Sequence, residues 1–210
     1  TETESNSIGN QKKKMTKNSF TNVIEQLYNH KSIAEIYAYS HDSDKFAVGI
    51  VIDYSLEEVV IQAIDNFGFK DGIFIGRTKD IYRISIKTTY IDSIRKLYEH
   101  NYIKDDNYAP VVPLCGNNNK KKLYDLYITH LLRNSKIVTC TLYNGVSLTG
   151  IIESYTNQVV KMKIYNQVGL FDGVSFFDAI EIETLSFDSS EEIKFSKLIS
   201  NHIWIPNSVS

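Results

Sequence analysis

Shifted by 101 positions, the chain overlays on itself without a gap, and this self-similarity limits the fold more than any single segment does. Gly49 meets Gly150, Tyr54 meets Tyr155, Gly68 meets Gly169, and Asp71-Gly72 meets Asp172-Gly173. Ile36 falls on Ile137, Ile50 on Ile151, Val59 on Val160, Ile81 on Ile182, and Lys96-Leu97 on Lys197-Leu198. Glycine marks places where the backbone bends or φ is positive, so shared glycines imply a shared chain path. A chain of 210 residues holds two such units with tails and a linker.

Within each unit the apolar pattern has the period of short strands. Segments 33–40, 45–53, 57–65, 73–75 and 81–86 are rich in Ile, Val, Phe and Tyr and are separated by polar or glycine-containing turns. Five short strands in so few residues predict a small barrel, and segment 135–187 repeats the pattern. Asn144-Gly145 predicts a type I′ hairpin, with Ser43-Asp44 as its weaker counterpart. Helical spacing places Phe20, Val23, Ile24 and Leu27 on one helix, with Ser19 as its N-cap. A matching helix carries Leu123, Leu126, Tyr127, His130 and Leu131. Further helices are expected over 89–99 and 189–199, the latter capped by Ser189 or Ser190 with Glu191 and Glu192 in its first turn. The expected organisation is a polar tail (1–18), a first barrel with flanking helices (19–101), a linker (102–121), a second barrel with flanking helices (122–201) and a C-terminal tail (202–210). The fold class is mainly β with short helices, α+β, as two tandem five-stranded barrels related by internal duplication.

The second unit resembles the Sm-like (LSm, Hfq-type) family of small SH3-like barrels. The stretch from Ile137 to Tyr155 is similar to the first Sm motif: two strands joined at Asn144-Gly145, then Gly150 where the second strand bends. The preceding helix fits as well. In the first unit, Gly76-Arg77 followed by Ile81, Tyr82 and Ile84 resembles the second Sm motif with its Arg-Gly order reversed. The family's uridine pocket uses an Asp after the bent strand and an Asn about four residues later. This chain has Thr156 and Val160 in those places, and Ser55 and Val59 in the other unit. A valine cannot hydrogen-bond a base edge, so the resemblance implies the fold without the usual RNA pocket.

Charge bears on the ligand. Residues 31–101 hold 9 basic and 11 acidic side chains, and residues 132–201 hold 6 and 8, so both units are mildly acidic. Lysines gather instead at Lys12–Lys14 with Lys17 and at Lys120–Lys122. A nucleic-acid footprint is normally a basic face on the fold itself. The residues that would carry one are Arg77, Lys79 and Arg83, with Tyr54 and Tyr155 as stacking surfaces. Against this, Arg77 reads as a surface ion pair, the two tyrosines as anchors of the barrel turns, and the lysine clusters as solvated tails.

No spacing announces chemistry. The histidines (His30, His41, His100, His130, His202) are scattered, and no Cys-x-x-Cys, Gly-x-Ser-x-Gly or phosphate-loop pattern occurs. Asp53, Asp71 and Asp80 make an acidic set on paper, but Asp71 repeats inside an Asp-Gly pair that a turn explains. Cys115 and Cys140 read as free thiols of a reducing compartment, and no apolar run is long enough to span a bilayer. The expectation is a non-catalytic, cytoplasmic binding or scaffold module without metal, membrane or small-molecule cofactor. It acts through a protein partner or self-association at barrel edge strands, with a divergent Sm-like RNA-binding regulator as the alternative.

Overall fold

The computed structural model describes residues 20–38, 46–104 and 122–203. Ser19, the turn Ser43-Asp44, Cys115, residues 1–18 and 204–210 and the lysine clusters up to Lys121 lie outside them; the N-cap of α1 is Phe20 rather than Ser19, and α4 runs two residues into the expected C-terminal tail. Sixteen elements are ordered as α1 (Thr21–His30), β1 (Ile33–Ala38), β2 (Phe46–Tyr54), β3 (Glu58–Ile64), β4 (Lys70–Arg77), a 3-10 turn (Thr78–Asp80), β5 (Ile81–Ser85) and α2 (Thr89–Lys104), followed by α3 (Leu123–Asn134), β6 (Ile137–Leu142), β7 (Ser147–Thr156), β8 (Val159–Tyr165), β9 (Phe171–Asp178), a 3-10 turn (Ala179–Glu181), β10 (Ile182–Phe187) and α4 (Ser190–Ile203). The mainly antiparallel, α+β class is as expected. The linker expectation is shortened, because α2 extends to Lys104.

All ten strands join one sheet in the order β5-β1-β2-β3-β4-β10-β6-β7-β8-β9. The order 5-1-2-3-4 therefore occurs twice, joined where β4 meets β10. The ladders correct the gapless alignment. Ala34 opposes Gly49 and Val138 opposes Gly150, so β1 and β6 correspond at a spacing of 104 while β2 and β7 keep 101. Ile33, not Ile36, thus corresponds to Ile137, and more residues separate β1 from β2 than β6 from β7.

Gly49 and Gly150 sit where the facing strand comes closest. A Cβ on Gly49 would lie 2.1 Å from the Gln62 carbonyl oxygen, and one on Gly150 would lie 1.7 Å from that of Lys163. Both β2 and β7 carry a bulge just beyond this glycine, which lets a long strand bend around a small core. Asn144-Gly145 does turn a hairpin, but only Gly145 has a positive φ, and it donates its N–H to Leu142. A three-residue loop ending in a left-handed glycine replaces the type I′ turn. Asp71-Gly72 and Asp172-Gly173 are not turns: they lie inside β4 and β9.

The apolar faces fill three cores. Ile24 and Leu27 of α1 cover Ile36, Val51, Val59 and Ile61, while Ile91 and Ile94 of α2 cover Ile33, Val48 and Ile64 on the other face. In the second half, α3 buries Leu123, Tyr127, Ile128 and Leu131 against Val138, Ile152, Val160 and Met162. That last core also takes Val60, Ile73 and Ile75 from the first half, so it straddles the joint.

Candidate functional site

The joint between β4 and β10 combines a buried apolar face with several side-chain hydrogen bonds, and among the described residues the two ends of the sheet lack both. Four residue pairs form its ladder: Gly76 with Thr184, Ile75 with Leu185, Phe74 with Ser186, and Ile73 with Phe187. On one face, Ile73 and Ile75 are 2 % and 0 % exposed beneath α3. Three side chains then lock the seam. Arg77 donates from Nε to the Ile182 carbonyl (3.2 Å) and from Nη2 to those of Ala179 (3.1 Å) and Ile180 (3.4 Å). The Tyr124 hydroxyl lies between the carbonyls of Glu183 (2.9 Å) and Ile75 (3.1 Å), one from each strand. Glu58 accepts the Leu123 N–H, supplying the cap that Lys122 does not give α3. A carboxylate there also faces the positive end of the helix dipole.

Burial sets the acidity of these groups. Glu58 has its carboxyl pushed above the usual value, chiefly by burial, against the opposing pull of the Leu123 N–H and the Arg77 charge. Burial likewise pushes the Tyr124 hydroxyl well above its usual range, so it serves as a neutral bridge between carbonyls.

The residues singled out from sequence are engaged in structural contacts. Arg77 belongs to the joint rather than to a surface ion pair. Lys79 lies 4.8 Å from the Tyr143 ring centroid, and Arg83 lies 3.6 Å from that of Tyr37. Tyr54 is buried in the first core with its ring 5.3 Å from that of Tyr28. Tyr155 donates to Asp125 of α3 and packs on the second core, so burial and that carboxylate push its hydroxyl up. Val59 and Val160, compared above with the Asn of the Sm-like pocket, are buried core residues. Ser55 accepts the N–H groups of Glu57 (3.2 Å) and Glu58 (3.0 Å) as a turn cap. The acidic set does not converge either: Asp71 accepts the Ser190 N–H at 2.8 Å, and Asp80 accepts the Tyr143 hydroxyl at 2.7 Å. Among the described residues, no cluster of three His, Cys, Asp or Glu side chains has metal-binding geometry, and no helix is long and apolar enough to cross a membrane.

The sequence reading missed Glu58, Tyr124 and the outer face of β9. A signal for them was present in the departures from the repeat. Glu58 corresponds to Val159, Tyr124 to Phe20, and Arg77 to Asp178, so each lock of the joint has an apolar or oppositely charged counterpart.

At the ends of the sheet, β5 and β9 pair on one side only among the described residues. On β9, Val174 and Phe176 correspond to the buried Ile73 and Ile75, yet they are 41 % and 67 % exposed. Beyond β5, Ile86 corresponds to the buried Phe187 and is 51 % exposed. The glycines repeat the contrast. A Cβ on Gly72 (φ 79°) would lie 2.4 Å from the Ser189 nitrogen across the joint, whereas one on Gly173 (φ 124°) would meet nothing within 4 Å. No protein-family model matches the chain, and no curated protein is similar to it in sequence.

Proposed function

We propose that the chain is a non-catalytic binding module built from two Sm-like barrels, duplicated and fused, that self-associates through its two free sheet edges. The observation that carries this reading is the exposure of Val174, Phe176 and Ile86, whose counterparts Ile73, Ile75 and Phe187 are buried at the internal joint. An unpaired edge with apolar side chains on one face is a template for another strand. Repeating the register of the internal joint pairs β9 of one copy with β5 of the next. Phe176 then opposes Ile84, Ser175 opposes Ser85, and Val174 opposes Ile86. The free space over Gly173 supports the same geometry, because it corresponds to the space over Gly72 that the neighbouring strand fills.

The outer contact is weaker than the inner one. Val159, Asp178 and Phe20 replace the three locking side chains, so main-chain hydrogen bonds and apolar contact hold it. Such a contact is head-to-tail and produces rings or open chains, according to whether the rotation closes. The mildly acidic units and the engagement of Arg77, Lys79 and Arg83 favour protein over RNA as the partner.

The test is light scattering across a concentration series. The wild type is expected to grow in mass with concentration, insensitively to salt, and to keep its elution when RNA is added. Phe176→Lys blocks one edge and Ile86→Lys the other, so each variant alone stays monomeric. Mixed, the two form a dimer that grows no further, because each supplies the edge the other lacks. A wild type that stays monomeric at every concentration, or association that survives both substitutions, overturns the reading. A salt-sensitive shift with RNA would support the RNA-binding alternative instead.

A further inference from the structure

The two halves share their strand order but not the filling of their interiors. At four matched ladder positions the second half carries large side chains, Leu142, Leu148, Ile164 and Phe177, all packed against its core. Their counterparts in the first half are Ala38, Ala47, Ala63 and Gly76. Ala38 opposes Ile81 as Leu142 opposes Ile182, and Ala47 opposes Ile36 as Leu148 opposes Cys140. Ala63 opposes Gly49 as Ile164 opposes Gly150, and Gly76 opposes Val59 as Phe177 opposes Val160. Two changes return part of the volume. Ile36 stands for Cys140, and Phe74 stands for Ser175, its ring reaching to 3.1 Å from where a Gly76 Cβ would be. Ile36 offsets part of the loss at Ala47, which it opposes, while Ala38 and Ala63 are left uncompensated.

The result is a half-open cleft of about 490 Å³ lined by all four small residues and, across the joint, by Glu183 and Thr184 among others. Interiors are normally packed with few voids larger than a water molecule, whereas small-molecule sites occupy roughly 300–1,000 Å³ of mostly apolar space. The second half shows that this fold can fill the same region with side chains. Three acidic residues, Asp71, Asp80 and Glu183, line the cleft beside the single basic residue Arg77; the Asp71 and Asp80 carboxylates accept from Ser190 and Tyr143, as the Arg77 donors face carbonyl oxygens, and the acidic side chains outnumber the basic one. An anionic ligand would meet like charge there.

We propose that this cleft, walled mainly by the first half and closed by residues of the second across the joint, is a binding site for a small apolar molecule that carries no anionic group. The cleft shares Ile81 with edge strand β5 but none of Ile84, Ser85 and Ile86, the residues placed at the outer contact, so dye binding and self-association are read separately.

Nile red titrated into the full chain tests it. The wild type is expected to give a saturable, blue-shifted emission. Ala63→Ile and Ala47→Leu, which install the side chains of the second half, each weaken dye binding by about tenfold or more. Both also raise Tm, because they bury more apolar surface against the walls of the cleft. Phe67→Ser, which removes an exposed ring outside the cleft lining, leaves binding unchanged. In the wild type, octyltrimethylammonium displaces the dye at lower concentration than octanoate, a comparison that needs no variant to fold. No saturable emission from the wild type, unchanged binding in both filled variants, or displacement first by octanoate overturns the proposal.

Discussion

Cys140 lies fully buried in the second core, and the loss of water around it pushes its thiol up to about 12. Thiolate is the reactive species, so this side chain behaves as a small apolar residue. In a Cys115→Ser background at pH 8, a thiol reagent is therefore expected to label Cys140 only as fast as the protein opens. Adding urea to the midpoint of unfolding should raise the labelling rate by orders of magnitude. Rapid labelling of the native protein would place the thiol at the surface. The free-thiol state was legible from two cysteines without a spacing motif. Its burial was not, because a cysteine in a strand sits equally well on either face until packing chooses one.

At the scale of elements, local sequence dictated the helix starts better than the strand limits. Ser189 accepts the Glu192 N–H at 3.4 Å while Glu192 accepts the Ser189 N–H at 3.0 Å, so the two ends of the motif cap each other. Glu192 also takes the Ser186 hydroxyl at 2.9 Å, tying α4 to β10. Glu192→Ala is expected to cost about 1–2 kcal/mol in urea unfolding, with most of the helix retained by circular dichroism. Strand β4 shows the opposite case. Its sequence pattern suggests only Ile73–Ile75, because Asp71-Gly72 reads as a turn, yet the strand runs Lys70–Arg77. Gly72 has a positive φ inside the strand, and β10 with the start of α4 passes so close above it that no Cβ would fit. That neighbour comes from about 115 residues further along the chain, beyond the reach of a local pattern.

For the whole molecule, Glu58 couples the two halves and gives the joint a pH dependence. Burial raises its carboxyl above the ordinary value of 4.5, so the folded chain holds that proton more tightly than the unfolded chain. Its contribution to stability is therefore greatest below that value and declines as pH rises through it toward the folded pKa. Glu58→Gln still accepts the Leu123 N–H but cannot ionise. Urea midpoints at pH 4 and pH 7 should show the variant gaining on the wild type as pH rises, and a pH-independent difference would remove Glu58 as the cause. The sequence by itself determined the spacing shared by the two halves, the bend glycines Gly49 and Gly150, and the helices. These rest on spacing and on residue types that have few conformational or chemical options. Only the tertiary structure decided that β4 meets β10, that Arg77, Tyr124 and Glu58 serve that seam, and that Ala38, Ala47 and Ala63 leave a cleft. Each of these depends on which distant strand lies opposite, and the free energy of that choice resides in packing between segments rather than in either segment alone.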